Sequence, residues 1–600
     1  MGGSQTSPEA LVIFFEWLAE QSSVAVQGDW VWRDQFKEWS LPISVRIEGN
    51  PSPHVARETL WHLVLRSEGS SVEVKFYPDK QDGVTVTFAH QTYNGAGDVK
   101  RPWRDGHPCL DLPLARLGRV SWNDEPSAIL PRLQWHLNRL VKWVEAAAAG
   151  ELTQAGDPLE LPDLRDRLAA GVVGFRELPE QLERMAGEEE LWGYAWLTPV
   201  PDAVKTWVIS ERMNRAGTTL ERVEWTSAIP RRRDSMPAPA VWLRLAELPV
   251  LEPWRRPETW QELDRIVAAQ GIDLSAVLVR AGIRYRSERK RRKAYRLLLC
   301  FPMAEYVGEA PTRMHWLAIA DVPLTEKLAK RNGFKPSEAN HRRWDGEIAG
   351  SAEALRWQRT MNWAPDQLRT RGEARADVRG KRLLIIGAGS LGAAVADKLL
   401  RMGVTDMRIL DGERLEVGNL SRHILGLSDA GHNKAIALAR HLNLSMPDAN
   451  VEGIAADFPP VDAQTRALVD ACEVIVDCSA EDAVLDALAS FPWTSEKKFI
   501  SLSMAWRADG LLAFSASEAS FPALDARSRF STAPVPAVDF GEARSEGIGC
   551  WLPVFPARAD DVHLWASIGC KFIQQTMSNS ERRFAYFRQS ESGEVERVET

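Results

Sequence analysis

Apolar positions change their period several times along the first 160 residues. Leu11, Phe14, Phe15 and Leu18 recur at helical spacing and predict an amphipathic helix over Pro8 to Gln21. Ile43–Ile47, Thr59–Leu65, Val72–Tyr77 and Val84–Phe88 are rich in β-branched and aromatic residues and predict strands, and Ile129–Ala148 returns to a helical period. Thr153 to Pro162 is dense in turn formers and predicts a boundary. From Asp163 to Val378 helical patterns mix with short strands and many tryptophans, without a catalytic motif. The basic run Arg284–Arg296 within it reads as a solvated helix or strand edge, with a docking patch for an acidic partner as the lesser alternative.

From Lys381 the texture becomes strict strand and helix alternation. Leu383–Ile386, Met407–Leu410, Glu473–Val476 and Phe499–Ser503 read as strands, and Leu391–Met402, Lys434–Leu442 and Asp482–Ala489 as helices. Such alternation predicts a parallel, doubly wound sheet. The expected chain is α/β and multidomain: an α+β region over 1–162, a mixed linker or scaffold over 163–378, and a doubly wound, Rossmann-like region over 379–600.

Composition narrows the class. At 600 residues the chain exceeds what one core organises, and 44% hydrophobic with 26% charged residues is ordinary for globular domains. A formal charge of −8 argues against a general nucleic-acid binder. No apolar run approaches the roughly 18 residues of a membrane span, and no basic start is followed by an apolar stretch. The expectation is a cytoplasmic protein with neither membrane nor nucleic-acid partners, and the loose myristoylation pattern at Met1–Thr6 reads as chance. Six scattered cysteines form no CxxC pair, which disfavours a disulfide framework or a structural zinc and leaves a reduced thiol as the form that matters.

Gly387-Ala388-Gly389-Ser390-Leu391-Gly392 falls between a predicted strand and helix, where glycines let backbone and helix N-terminus approach a phosphate. Asp411 ends the next strand, placed for a ribose. Those features alone fit a nicotinamide or flavin dehydrogenase equally well. Asn419, Arg422, Lys434 and Asp477 shift the balance. Attack of a carboxylate on the α-phosphate of ATP needs cationic groups such as Arg422 and Lys434 against the transferring phosphate, with Asn419 as a neutral donor. It also needs an acid for Mg2+, and Asp477 ends a strand. In order and spacing, Lys381–Ser503 resembles the ThiF/MoeB and ubiquitin-activating-enzyme superfamily. The resemblance implies that Gly387, Gly389, Gly392, Asp411, Asn419, Arg422 and Lys434 bind ATP and that Asp477 binds the metal. Two departures are Ala480-Glu481 where the family often has Asp-Asn, and the absence of zinc-binding CxxC pairs.

Adenylation would hand an activated acyl group to a thiolate. Cys550 lies in a glycine- and proline-flanked loop before a predicted helix, Asp560–Met577, which suits a nucleophile that must travel. Cys472 and Cys570 read as packing residues, and Cys478 as close to the site but short of room to move. Cys109 is the second candidate. His107-Pro108-Cys109-Leu110-Asp111, after a meander and before a tryptophan-containing helical region, resembles the active-site segment of ubiquitin-conjugating enzymes, with the likeness spanning about Pro8 to Pro162. The His-Pro-Asn triplet of those enzymes is missing, which leaves the oxyanion partner unassigned and His107 as a candidate helper. A conjugating-like region followed by an activating one resembles the fusion enzymes of bacterial CBASS antiphage operons. That resemblance implies ATP-dependent adenylation of a protein's C-terminus, a thioester on Cys550, transfer to Cys109 and ligation to a target amine on a protein. It also implies a CD-NTase, a cGAS-like nucleotidyltransferase, as donor, and a homodimer. A sulfur-carrier adenylyltransferase, an activating fusion for a dedicated bacterial ubiquitin-like protein, and a dinucleotide-binding scaffold stay open.

Overall fold

Three large sheets follow one another along the chain, each with its own hydrophobic core. The computed structural model describes residues 8–68, 71–110, 125–162, 169–230, 237–287, 294–325, 335–535, 545–546, 552–553, 555–590 and 592–598.

The first sheet is antiparallel. Its strands are β1 (Val24–Val26), β2 (Val31–Arg33), β3 (Glu38–Arg46), β4 (Glu58–Glu68) and β5 (Ser71–Pro78), in the order β1-β3-β4-β5 with β2 on β3. Two helices, Pro8–Leu18 and Ile129–Ala149, cover one face. The second buries Leu133, His136, Leu137, Leu140, Trp143, Val144 and Ala147, a stripe at helical spacing, and ends at Gly150 in the left-handed conformation that glycine adopts without cost. The expected strand Val84–Phe88 is absent: the segment is irregular. Val84 and Phe88 are buried, so the apolar alternation reports core contact and not pairing. In place of a strand neighbour, the Asn94 amide donates to the Val84 and Val86 carbonyls at 2.7 and 2.9 Å.

The middle sheet comprises β6 (Ala169–Phe175), β7 (Trp192–Pro199), β8 (Thr206–Met213), β9 (Thr219–Arg222), β10 (Ala238–Arg244), β11 (Arg296–Met303), β12 (Arg313–Ile319) and β13 (Trp357–Asn362), in the order β6-β13-β12-β11-β10-β7-β8-β9. Because β6 pairs with both β13 and β8, seven strands close on themselves and β9 hangs from the edge. Leu298 and Cys300 face one core while Leu297, Leu299 and Phe301 face another, under the helices Trp260–Ala269 and Leu274–Ser287. Both faces of β11 are therefore covered, which accounts for its uninterrupted apolar run. The basic run is corrected at its described ends. Arg286 is buried, with Nη1 2.5 Å from the Asp345 carboxylate, and Arg296 is buried with its guanidinium 3.9 Å from the Trp207 ring centroid. Residues 288–293 lie outside the described residues.

The third sheet contains β14 (Leu383–Ile386), β15 (Asp406–Leu410), β16 (Asn450–Ile454), β17 (Val474–Asp477), β18 (Lys497–Met504) and β19 (Gly510–Glu518). After a two-stranded ribbon, β20 (Ser545–Glu546) with β21 (Leu552–Pro553), come β22 (Arg583–Gln589) and β23 (Val595–Val598). Its order is β16-β15-β14-β17-β18-β19-β22-β23. The first five are parallel and doubly wound as expected, with helices and separate cores on the two faces, and an antiparallel extension follows. The middle and last sheets are joined where Thr226 donates its N–H to Pro447 O at 3.0 Å and its hydroxyl to Asn443 O at 2.8 Å. Among the described residues no single helix is long and apolar enough to cross a membrane. Trp260–Ala269 and Leu274–Ser287 qualify only as a pair bent by 113°, and their apolar faces are packed into the middle core.

Candidate active site

The chain leaves β14 and fills β15 and β16 on one side before returning to β17 on the other, so the strand order reverses beside β14. Open α/β sheets form their ligand crevices at such a reversal, outside the carboxyl ends of the strands. Here Ile386 pairs with Leu410 and with Asp477, which brings three strand ends together. Gly387 turns the chain at φ +88°, and a Cβ there would come within 3.0 Å of the Cys478 and Ser479 backbone. A Cβ on Gly392 would lie 2.0 Å from the Gly387 carbonyl oxygen, so the helix Ser390–Arg401 can approach the turn this closely only with glycine at that position. Gly389 is different: a Cβ would meet nothing within 4 Å. It is the N-cap of that helix and supplies no side-chain cap, so the first-turn N–H groups face an open side, the arrangement that receives anions.

Polar side chains lock this turn from two directions. Asp411 accepts from Ala388 N–H at 2.7 Å and from Glu413 N–H at 2.8 Å. Burial raises its carboxyl above the usual range, against the pull of those two bonds. His423 bonds the Ala388 carbonyl through Nε2 at 2.9 Å, while its Nδ1 accepts from Leu425 N–H at 3.2 Å. Those partners fix a neutral tautomer, and burial lowers the ring's proton affinity accordingly. Asn433 caps the helix Lys434–Ser445 and donates to the Asp411 carbonyl at 2.8 Å. His423 and Asn433 stand beside Arg422 and Lys434 in the sequence, yet only their partners reveal what they do.

The remaining expected residues fall around this turn. Lys434 is buried along its stem and its ammonium pairs with the largely exposed Glu413. Asn419 accepts from Glu416 N–H at 3.1 Å, shaping the short helical turn Val417–Ser421 that delivers His423. Arg422 donates to the Phe555 carbonyl, which ties the turn to the segment after Cys550. Asp477 is buried at 1% exposure. It accepts from Ser479 N–H at 3.0 Å, from the Ser479 hydroxyl at 2.6 Å and from the Ser501 hydroxyl at 2.8 Å. Burial raises this carboxyl too, and the serine hydroxyls oppose the rise.

These residues fit ATP: an open, uncapped helix N-terminus for phosphate, a carboxylate at a strand end for ribose, and cations at the rim. Among the described residues no three His, Cys, Asp or Glu groups converge as a metal cage. That donor set suits a magnesium that arrives on the nucleotide and draws most ligands from phosphate and water. Asp477 suits such an ion through one carboxylate oxygen, provided the Ser479 hydroxyl turns away.

The thiols divide sharply. Cys472 and Cys570 are buried and pushed up to about 12, Cys478 is buried beneath the glycine turn and raised well above its ordinary value, and Cys300 is raised likewise by burial. Such thiols are poor nucleophiles. Cys550 lies outside the described residues. Cys109 is exposed, and its N–H donates to the His90 carbonyl at 2.7 Å. His107 stands edge-on to Tyr77 at 5.7 Å. Asn94, which no upstream triplet announced, packs against Gly106, where a Cβ would lie 2.5 Å from its own Cβ. Its amide hydrogens are taken up by the Val84 and Val86 carbonyls, so it serves to hold the loop.

Comparison with known proteins gives the family. Residues 150–363 match the family model described as the Cap2 central linker domain, and residues 365–517 match the ThiF family. The ATP-dependent ubiquitin transferase-like protein Cap2 of Enterobacter hormaechei subsp. hoffmannii (strain UCI 50) is 45% identical over 561 residues, covering 94% of this chain and 93% of that protein. Ubiquitin-like modifier-activating enzyme 5 of Drosophila ananassae is 31% identical over 96 residues, 16% of this chain and 24% of that enzyme. Among solved structures, a crystal structure of E. coli MccB with ATP aligns with 37% of this chain and 64% of its own, at 13% identity and a TM-score of 0.26. By the near-complete match to the Enterobacter protein, this chain belongs to the Cap2 family of ATP-dependent ubiquitin transferase-like enzymes.

Proposed function

We propose that this enzyme activates a protein at its C-terminal carboxylate and then conjugates it to an amine. The observation that carries the reading is the uncapped helix N-terminus at Gly389, open to solvent and flanked by Asp411 and Lys434, in a chain of this family. In this reading residues 379–600 are the adenylation domain, 1–162 the conjugating domain and 163–378 the linker between them. Gly387, Gly389 and Gly392 admit phosphate to the backbone, Asp411 holds the ribose, and Asn419, Arg422 and Lys434 balance the charge on the phosphates. Bound ATP supplies a phosphorus that a carboxylate can attack, and Asp477 faces its magnesium.

The donor's carboxylate oxygen bonds to the α-phosphorus and pyrophosphate leaves. The Cys550 thiolate then bonds to the acyl carbon and AMP leaves. The Cys109 thiolate displaces Cys550, and a target amine displaces Cys109, losing a proton as the amide forms. The donor is a CD-NTase in CBASS antiphage defence, two copies of the chain pair, and the setting is the cytoplasm.

ATP:pyrophosphate exchange with candidate donor proteins, followed by non-reducing gels, tests the scheme. Exchange should require the donor and survive in C550A and C109A. C550A should lose every thioester, and C109A should keep the Cys550 thioester but lose ligation. Full ligation by C109A would overturn the relay, and binding of NAD in place of ATP would overturn the adenylation reading.

A further inference from the structure

Cys109 lies on a short irregular ladder. Its N–H donates to His90 O at 2.7 Å, Thr92 N–H donates to His107 O at 3.0 Å, and Gln91 bridges Pro108 between them. His90 and Cys109 therefore flank the isolated Gln91–Pro108 bridge and share one backbone hydrogen bond. His90 is held there with φ +53°, a left-handed backbone that side-chain-bearing residues keep only when their surroundings impose it.

What imposes it comes from the stretch after the helix Ile129–Ala149, which lies inside the 150–363 match to the linker family. His90 Nδ1 lies 3.1 Å from Glu160 Oε2. Glu160 belongs to an extended stretch fastened beside the end of β11: Gly156 N–H donates to Val307 O at 2.9 Å, Val307 N–H to Asp157 O at 2.8 Å, and Leu159 N–H to Glu305 O at 3.0 Å. Two further contacts grip the same strip. Trp254 N–H donates to Thr87 O at 3.0 Å, and Tyr93 packs against the middle core. A segment that only spaced two domains apart would need no ion pair to a residue whose carbonyl holds the backbone of Cys109.

We infer that His90 is a positioning residue for Cys109 and that Glu160, in the stretch that follows the helix Ile129–Ala149 and lies inside the 150–363 linker match, holds it against the backbone of that residue. The inference rests on the reading of Cys109 as the conjugating nucleophile. A cationic ring across the ladder favours the thiolate, whose proton goes to solvent. The hydrogen bond to Glu160 raises the His90 ring above the ordinary imidazole value against the effect of burial, and the charges of Glu160 and Asp157 and the Leu152 carbonyl add to the rise. A raised value means that the ring keeps its charge above the ordinary imidazole range and loses it, and the ion pair with it, as pH climbs through the raised value. The grip of Glu160 on the Cys109 loop therefore loosens toward alkaline pH.

The test is the pH profile of iodoacetamide alkylation at Cys109 in the full-length chain, read by peptide mass spectrometry for wild type, H90Q, E160Q and E160D. H90Q and E160Q should raise the alkylation midpoint by about half a unit to one unit, a range reduced from that of buried pairs because the site is partly exposed. E160D should restore most of the wild-type profile, and acyl transfer from Cys550 to Cys109 should slow in the same order as the midpoints rise. E160Q leaves His90 in place, so a shift shared by both variants is not the mark of a collapsed loop. Midpoints that agree within about 0.2 unit across all four proteins overturn the inference. If C109A ligates at full rate, the parent reading of Cys109 fails, while the alkylation profile still decides whether His90 acts on the thiol.

Discussion

Replacing Asp411 by asparagine tests how the glycine turn is held open. Both carboxylate oxygens are occupied by backbone donors, Ala388 N–H at 2.7 Å and Glu413 N–H at 2.8 Å. Asparagine has nearly the same shape, but only its oxygen accepts, so its NH2 must oppose one of the two N–H groups. The loss of one charge-assisted bond costs about 1.5–3 kcal/mol. At 1.4 kcal/mol per decade, ATP:pyrophosphate exchange should fall about 10- to 100-fold. If Asp411 acted on the ribose alone, D411N and wild type would converge when assayed with 2′,3′-dideoxy-ATP, whereas a role in the turn as well leaves a loss that persists with the dideoxy nucleotide. The pH dependence adds a second reading. Burial raises this carboxyl, so the native state binds its proton more tightly than the unfolded chain does, and its contribution to stability is present in acid and lost as pH rises through the raised value. Exchange runs the other way, because protonation removes the charged acceptor from the Ala388 N–H. Wild type should therefore lose exchange in acid before it loses structure, and D411N should lack that limb. Exchange by D411N within about twofold of wild type, a difference of under about 0.5 kcal/mol, would refute the reasoning.

The two other glycine positions should separate fold from ligand. G392A places a methyl 2.0 Å from the Gly387 oxygen and should cost about 3 kcal/mol in thermal or denaturant unfolding, with exchange abolished. G389A meets nothing within 4 Å, so its unfolding midpoint should stay put while KM for ATP rises; an unchanged KM would count against phosphate approaching at Gly389. S501A leaves the buried Asp477 Oδ2 without its hydroxyl donor and should destabilise the fold by about 1–3 kcal/mol in denaturant unfolding, so an unchanged midpoint would show that water or Ser479 replaces the bond. Lys498 is lowered by burial to about 8, so the native state binds this proton less tightly than the unfolded chain does. Stability should climb with pH from there toward the unfolded lysine value of about 10.4, and K498M should flatten the climb in thermal melts.

The parallel part of the last sheet was legible because its information is local. Leu383–Ile386 is buried on both faces and reads as an unbroken apolar run, and the glycines at 387 and 392 each answer a backbone constraint within a few residues or at the neighbouring strand. The middle barrel was not legible, because its closure depends on β6 pairing with β13, nearly two hundred positions away, and no short window records that. The basic run misled for the same reason: Asp345, Gln358 and Trp207, which bury Arg286 and Arg296, are distant in sequence.

The Cys109 loop shows where this limit bears on chemistry. Val84, Val86 and Phe88 alternate as a strand does, yet their backbone groups bond to side chains, the Asn94 amide for the Val84 and Val86 carbonyls and the Gln91 side-chain carbonyl oxygen for the Phe88 N–H, and the strip is clasped by Glu160, Trp254 and the core around Tyr93. A segment whose order comes from non-local side chains cannot be told by its own pattern from one that pairs in a sheet. Residues with no neighbour of their own kind, such as a lone histidine six positions after a mispredicted strand begins, then carry no visible role until their partners are known. That is why the candidate nucleophile could be named from His107-Pro108-Cys109, while the two groups that fix its surroundings, Asn94 and His90, could be found only once the chain was folded.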